Sequence, residues 1–159
     1  MGRTSSPASA SGSPPCSASS IAAILAETGL PPGCLELDIP ETAIMEPRGG
    51  TEVRLAALKA LGVRLAVDGF GLGCSSPAYF RNLPVDRLKI HRHIVQSVLD
   101  DAIERELADA ILGLAKTLHM DVLAKGIETE GQREFMGRHG CAGGQGYLFG
   151  QPVPFPGVE

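Results

Sequence analysis

LGVRLAVDGFGLGCSS, Leu61 to Ser76, carries the architecture. A mostly apolar run from Val63 ends in Asp68, glycines at 69, 71 and 73 then break the chain, and Ser76-Pro77 offers an N-cap followed by proline at the first helical position. A short strand, a glycine-rich turn and a helix start make the repeating unit of a parallel sheet.

Outward from this stretch the same unit recurs. Strands are predicted at Leu35 to Ile39, Val63 to Asp68, Arg87 to Ile90, Asp121 to Lys125 and Gly144 to Phe149. Helical patterns lie between them. Thr51 is placed to cap a helix carrying Leu55, Leu58 and Leu61. Asp101 with Glu104 resembles a capping box, opening a helix with Ile103, Leu107, Ile111, Leu114 and Leu118 at helical spacing, and Thr129 with Gln132 repeats the box. From Ser19 or Ser20 a first amphipathic helix carrying Ile21, Ile24 and Leu25 runs to about Thr28 and stops at Gly29. Strand followed by helix, four times over, predicts an α/β fold: a parallel sheet or an incomplete β/α barrel.

The whole chain has 159 residues and a formal charge of −4, so it allows one domain and shows no general affinity for nucleic acid. Apolar residues make up 43% and charged residues 20%, ordinary values for a globular protein. Aromatics are only 4%, too few for stacking platforms on single strands. No apolar run is long enough to span a membrane. Residues 1–20, rich in Ser, Ala and Pro, read as a disordered tail, residues 21–154 as the domain and 155–159 as a C-terminal tail. Cys16, Cys34, Cys74 and Cys141 form no CxxC pair, the pattern of reduced thiols in the cytoplasm.

The polar residues are placed with a regularity of their own. Asp38, Asp68, Lys89 and Lys125 each stand at or just past the end of an apolar strand, and Glu128 follows three residues later. In a parallel β/α architecture such ends converge on one rim, where active sites are built. A single charge there serves as a helix cap more often than as a ligand; four strand ends sharing the pattern point to a site.

Five segments carry a resemblance: LELDIPETAI (Leu35 to Ile44), LGVRLAVDGFGLGCSS, LPVDRLKI (Leu83 to Ile90), LAKGIETEGQ (Leu123 to Gln132) and GGQGYLFGQPVP (Gly143 to Pro154). In order and spacing they resemble the C-terminal half of EAL domains, a family that hydrolyses cyclic di-GMP to a linear dinucleotide on a modified TIM barrel. The resemblance implies the C-terminal half of such a barrel, with about five strands. It also implies roles. Asp38 stands where the family has a metal-binding Glu, and Glu41 where a Glu steadies a neighbouring loop. Asp68 matches a metal-binding Asp, Lys89 a Lys close to the attacking water and the phosphate, and Glu128 and Gln145 further active-site positions.

Departures from the family pattern matter as much. The second Asp of its DDFG motif is Gly69, the first Glu of its AEGVE segment, a metal ligand, is Lys125, and its KIDRS reads KIHRH with His91 and His93. The Glu-Ala-Leu strand that names the family, and a strand bearing a metal-binding Asn, have no counterpart in this sequence. Of six ligand positions the resemblance implies, Asp38 and Asp68 are kept. Mg²⁺ or Mn²⁺, the metals expected for the family, needs oxygen donors, and a protonated lysine has no lone pair to give. Placing a positive group where a negative ligand belongs swings two charges beside the ion, each unit pair worth roughly 4 kcal/mol at 4 Å and an effective dielectric near 20.

The expectation is therefore a degenerate, truncated EAL protein of cyclic di-GMP signalling, located in the cytoplasm. It lacks productive metal binding and phosphodiesterase activity and retains binding of the nucleotide or of a protein partner. Lys89 and Lys125, at neighbouring strand ends, offer a way to hold phosphate without metal. A weakly active phosphodiesterase and a non-functional gene remnant are the alternatives. Half a barrel also leaves two open sheet edges, which predicts self-association.

Overall fold

The computed structural model describes residues 17–45, 50–71, 73 and 80–152. The predicted cap at Ser76-Pro77, Cys16, Cys74, the tail up to residue 16 and the C-terminal residues 153–159 lie outside the described residues.

Five parallel strands form one sheet in sequence order: β1 (Glu36–Pro40), β2 (Arg64–Phe70), β3 (Arg87–Ile90), β4 (Asp121–Lys125) and β5 (Gly143–Gln145). Helices α1 (Ala18–Thr28), α2 (Glu41–Met45), α3 (Thr51–Ala60), α4 (Arg92–Ser97), α5 (Ala102–Thr117) and α6 (Glu130–Arg138) connect or precede them, with a short 3₁₀ turn at Pro32–Cys34. This is the expected α/β architecture, an incomplete TIM-like barrel. Among the described residues no helix is long and apolar enough to cross a membrane.

Side-chain alternation gives the sheet two unlike faces. Leu65, Val67, Leu88, Ile90, Val122 and Ala124 point into the core, against Phe80, Ile94, Val95, Ala108, Ile111 and Ala115. The intervening positions Glu36, Asp38, Asp68, Arg87, Lys89, Asp121 and Lys125 are charged.

Local chemistry sets the element ends. Ser17 caps α1 by accepting from the Ser20 N–H, and Gly29, at φ 68°, closes its C-terminus through a bond to the Leu25 carbonyl. The helix thus begins at Ala18, inside the stretch expected to be disordered. Thr51 is the first residue of α3 and Gly50 holds the cap position, one residue before the expected cap. Asp101 accepts from the Ile103 and Glu104 N–H groups, and Thr129 with Gln132 forms the full reciprocal box. Ile103, expected on the buried face of α5, is 77% exposed; Ala108, Ile111, Leu112 and Ala115 carry that face. β5 stops at Gln145, four residues short of its expected end, because Ile127 takes over the pairing: its N–H bonds the Gln145 carbonyl and its carbonyl receives Leu148. Cys34 and Cys141 are free thiols.

Candidate functional site

At the strand C-termini two lysines and two aspartates meet. Lys125, at the end of β4, reaches across β3 and donates to Asp68 Oδ1 of β2 at 2.7 Å. Lys89 of β3 donates to Asp38 Oδ1 of β1 at 2.5 Å and lies 3.0 Å from Glu36 Oε1. Only 12% of the Lys89 side chain is exposed. Burial pushes its ammonium toward deprotonation, but the hydrogen bonds to Asp38 and Glu36 outweigh burial and hold its pKa above the ordinary lysine value. The four residues share one face of the sheet as two separate pairs, Lys125–Asp68 toward the strand ends and Lys89–Asp38 with Asp38 in the middle of β1. Each lysine is committed to a carboxylate rather than standing free beside the other.

The network continues down the same face. Arg87 is 2.9 Å from Glu36 and 3.5 Å from Asp121, and Arg64 donates to Asp121 at 3.0 Å. Four acids, Glu36, Asp38, Asp68 and Asp121, thus face four cations, Arg64, Arg87, Lys89 and Lys125. Glu36, Arg64, Arg87 and Asp121 join the predicted residues in this network. Their signal was period-two spacing: Glu36 and Asp38, like Arg87 and Lys89, are two residues apart on one strand and so share a face.

Gly69 has a positional reason of its own. It forms a bulge where the β2–β3 register shifts between Asp68 and Phe70, at φ 75°, a conformation that costs other residues about 1–2 kcal/mol. A side chain built there would meet the His91 ring, whose Cδ2 lies 3.7 Å from the added Cβ. His91 does not extend a strand. It caps α4, its Nδ1 accepting from the His93 N–H at 3.1 Å. Burial, then the charges of Arg92, His93 and Lys125, push the His91 pKa below the ordinary histidine value against the pull of Asp68, so the ring is mostly neutral at pH 7. His93 lies 3.6 Å from Glu104 Oε1 on the exterior.

Glu41 is buried, 6% exposed, at the start of α2, and its Oε2 accepts from the Gly73 N–H at 3.2 Å. A side chain at Gly73 would stand 2.9 Å from the Glu41 carboxyl carbon, so glycine permits this approach of loop to carboxylate. Glu128 Oε1 accepts from Gln96 Nε2 at 2.7 Å. Gln132 supports that arrangement: its Oε1 accepts from the Glu128 and Thr129 N–H groups, and its Nε2 donates to the Gln96 carbonyl. Neither Gln96 nor this second use of Gln132 was legible in the sequence. Gln145 ends β5 with an exposed side chain, while its carbonyl receives the Gly126 and Ile127 N–H groups.

A parallel β/α sheet with polar groups gathered at its strand C-termini defines a β/α-barrel domain with a rim site. The chain belongs to the EAL domain family, whose model matches residues 6–152. It is 40% identical over 135 residues to the cyclic di-GMP phosphodiesterase NbdA of Pseudomonas aeruginosa, covering 85% of this chain and 17% of that protein. Its fold is similar to that of the PaMucR phosphodiesterase in complex with cyclic di-GMP, with a TM-score of 0.82, 37% identity, and 86% of this chain against 55% of that one. The EAL domain of Mycobacterium smegmatis DcpA gives a TM-score of 0.79 at 34% identity, covering 86% of this chain and 61% of that one. The chain thus spans less than two thirds of each.

Proposed function

We propose that this chain is a non-hydrolysing EAL module of cyclic di-GMP signalling that binds the nucleotide at the strand-end rim without a divalent metal. The observation that carries this reading is the Lys125 ammonium on Asp68 Oδ1 at 2.7 Å. Asp38 and Asp68 are the retained ligand positions, and each is held by a lysine. Among the described residues no three His, Cys, Asp or Glu side chains converge to hold an ion. The donor set therefore does not fit the Mg²⁺ or Mn²⁺ centre expected of the family, and no hydroxide nucleophile is generated at this rim.

Charge supports the same reading. Where the family pattern has carboxylates at three positions, this chain has Gly69, a mostly neutral His91 and Lys125, a net gain of four positive charges. That equals the charge of two divalent ions. In this reading the nucleotide's phosphates compete with Asp38 and Asp68 for the Lys89 and Lys125 ammonium groups, Gln145 and Glu128 contact it, and Glu41 holds the adjoining loop. The working unit in this reading includes the Ser17-capped α1 and runs from residue 17 to 152, and the compartment is the cytoplasm.

Purified protein with cyclic di-GMP and Mg²⁺ or Mn²⁺ is expected to yield no linear dinucleotide above a protein-free control. Isothermal titration in the presence of EDTA is expected to show nucleotide binding that Lys89→Ala loses. Turnover abolished by Asp68→Ala, or no binding at high micromolar nucleotide, would overturn the proposal.

Self-association is a second reading with its own support. Among the described residues β1 and β5 form the edges of the sheet, and Tyr147 and Phe149, just past β5, are exposed. A compact monomer in sedimentation at all concentrations would end it.

A further inference from the structure

We infer that Lys125 is a resident cation, and that its ammonium on Asp68 is what keeps this rim closed to divalent metal. The inference deepens the metal-free reading above and rests on it. Three features of this chain converge on the pair. Lys125 enters from β4 over the top of β3 and makes its 2.7 Å bond with both side chains about one-third exposed, so Asp68 is reachable by an ion but already neutralised. Glycine at position 69 leaves the adjacent bulge without a side chain, and the His91 ring lies against that gap, so position 69 adds no competing carboxylate beside Asp68. Lys89 holds Asp38 and Glu36 in the same way, so these acids are already neutralised and are not free to join Asp68 around an ion. A lysine here supplies a unit charge with no exchange and no coordination demand, whereas Mg²⁺ or Mn²⁺ requires several oxygen donors at fixed distances. With the ammonium removed, Asp68 is left facing water with an uncompensated charge; with a carboxylate in its place, two oxygen donors face one another across β3.

The test is a cation titration of the 159-residue chain in which the probe is Mn²⁺ alone, followed by loss of the free-ion paramagnetic resonance signal and by calorimetry. The parent chain is expected to bind no Mn²⁺ that depends on Asp68. Lys125→Glu is expected to bind it at least about 10-fold more tightly than the parent, since two charges change beside the ion. Adding Asp68→Asn to that variant is expected to abolish the gain. Should Lys125→Glu fail to fold, Lys125→Gln decides, because its amide oxygen supplies a donor beside Asp68: Mn²⁺ is expected to raise its melting temperature and to leave the parent's unchanged. Asp68-dependent Mn²⁺ binding by the parent would overturn the inference. So would a folded Lys125→Glu that gains nothing, or a Lys125→Gln melt that ignores the ion. The outcome is separate from that of nucleotide binding. A gained Mn²⁺ site with no cyclic di-GMP binding by the parent would leave Lys125 as the resident cation and sink the nucleotide reading alone.

Discussion

On the helix-covered face of the sheet Leu65, Val67, Leu88, Ile90 and Ala124 have lost all contact with water, while the opposite face carries the paired charges Glu36, Asp38, Asp68, Arg87, Lys89 and Lys125 with Ala66 and Leu123 among them. The first face is held by burial of apolar area, which is non-directional and tolerant of detail. The second is held by charge balance, which is directional: each member depends on a partner from another strand. Lys89 joins β3 to β1, Lys125 joins β4 to β2, and Arg87 touches acids on β1 and β4. Strands that share no backbone bonds are thereby tied to one another across the strand between them. A single apolar substitution weakens the first face in proportion to the volume lost. A single charge substitution on the second leaves other groups without a counter-charge.

That contrast can be broken or sharpened by experiment. The largest effect is expected from Leu88→Ala, which opens a cavity at a fully buried position and lowers stability by about 2–5 kcal/mol, read from the urea midpoint. A loss under about 1 kcal/mol would mean that the apolar face is not what holds the sheet. On the charged face Lys89→Met leaves Asp38 and Glu36 short of a cation and is expected to lose about 1–3 kcal/mol. The double variant with Asp38→Asn is expected to lose less than the sum of the two single changes, because part of the loss is the stranded charge. Simple additivity would show that the pair is incidental.

His91 predicts a smaller, pH-dependent effect. Its folded pKa is depressed, so the unfolded chain takes the proton first as pH falls. Stability is therefore expected to fall as pH drops below the ordinary histidine value of 6.5 toward the folded pKa. His91→Asn keeps an acceptor for the α4 cap and is expected to flatten this part of the stability curve. Parallel curves for the two proteins between pH 5 and roughly 7 would contradict it. The smallest effect is expected at Arg138, whose pair with Glu134 is exposed on α6: Arg138→Ala is expected to change stability by no more than about 0.5 kcal/mol. A larger loss would show that exterior pairs matter as much as those on the sheet face.

Legibility in the sequence followed the same division. β3 and β4 have the bounds their sequence predicts, because alternation within Arg87 to Ile90 and Asp121 to Lys125 encodes a strand with unlike faces. β5 is shorter than the sequence predicts, since Tyr147, Leu148 and Phe149 after Gln145 read as a continuing strand and the turn back to Ile127 is a long-range backbone choice. The missing carboxylate at position 69 was visible as a glycine. That this glycine occupies a left-handed bulge against His91 was not, because it depends on how β2 and β3 align.

The sequence alone determined the order of strands and helices, the family and the positions of Asp38, Asp68, Lys89 and Lys125, because periodicity, caps and motif spacing are local along the chain. Only the tertiary structure decided what those charges do. Asp68 and Lys125 are 57 residues apart, and the short bond between them exists because parallel register places the ends of β2 and β4 on one rim, with β3 between. Partner choice among charges depends on distance in space, and no one-dimensional pattern sets that distance.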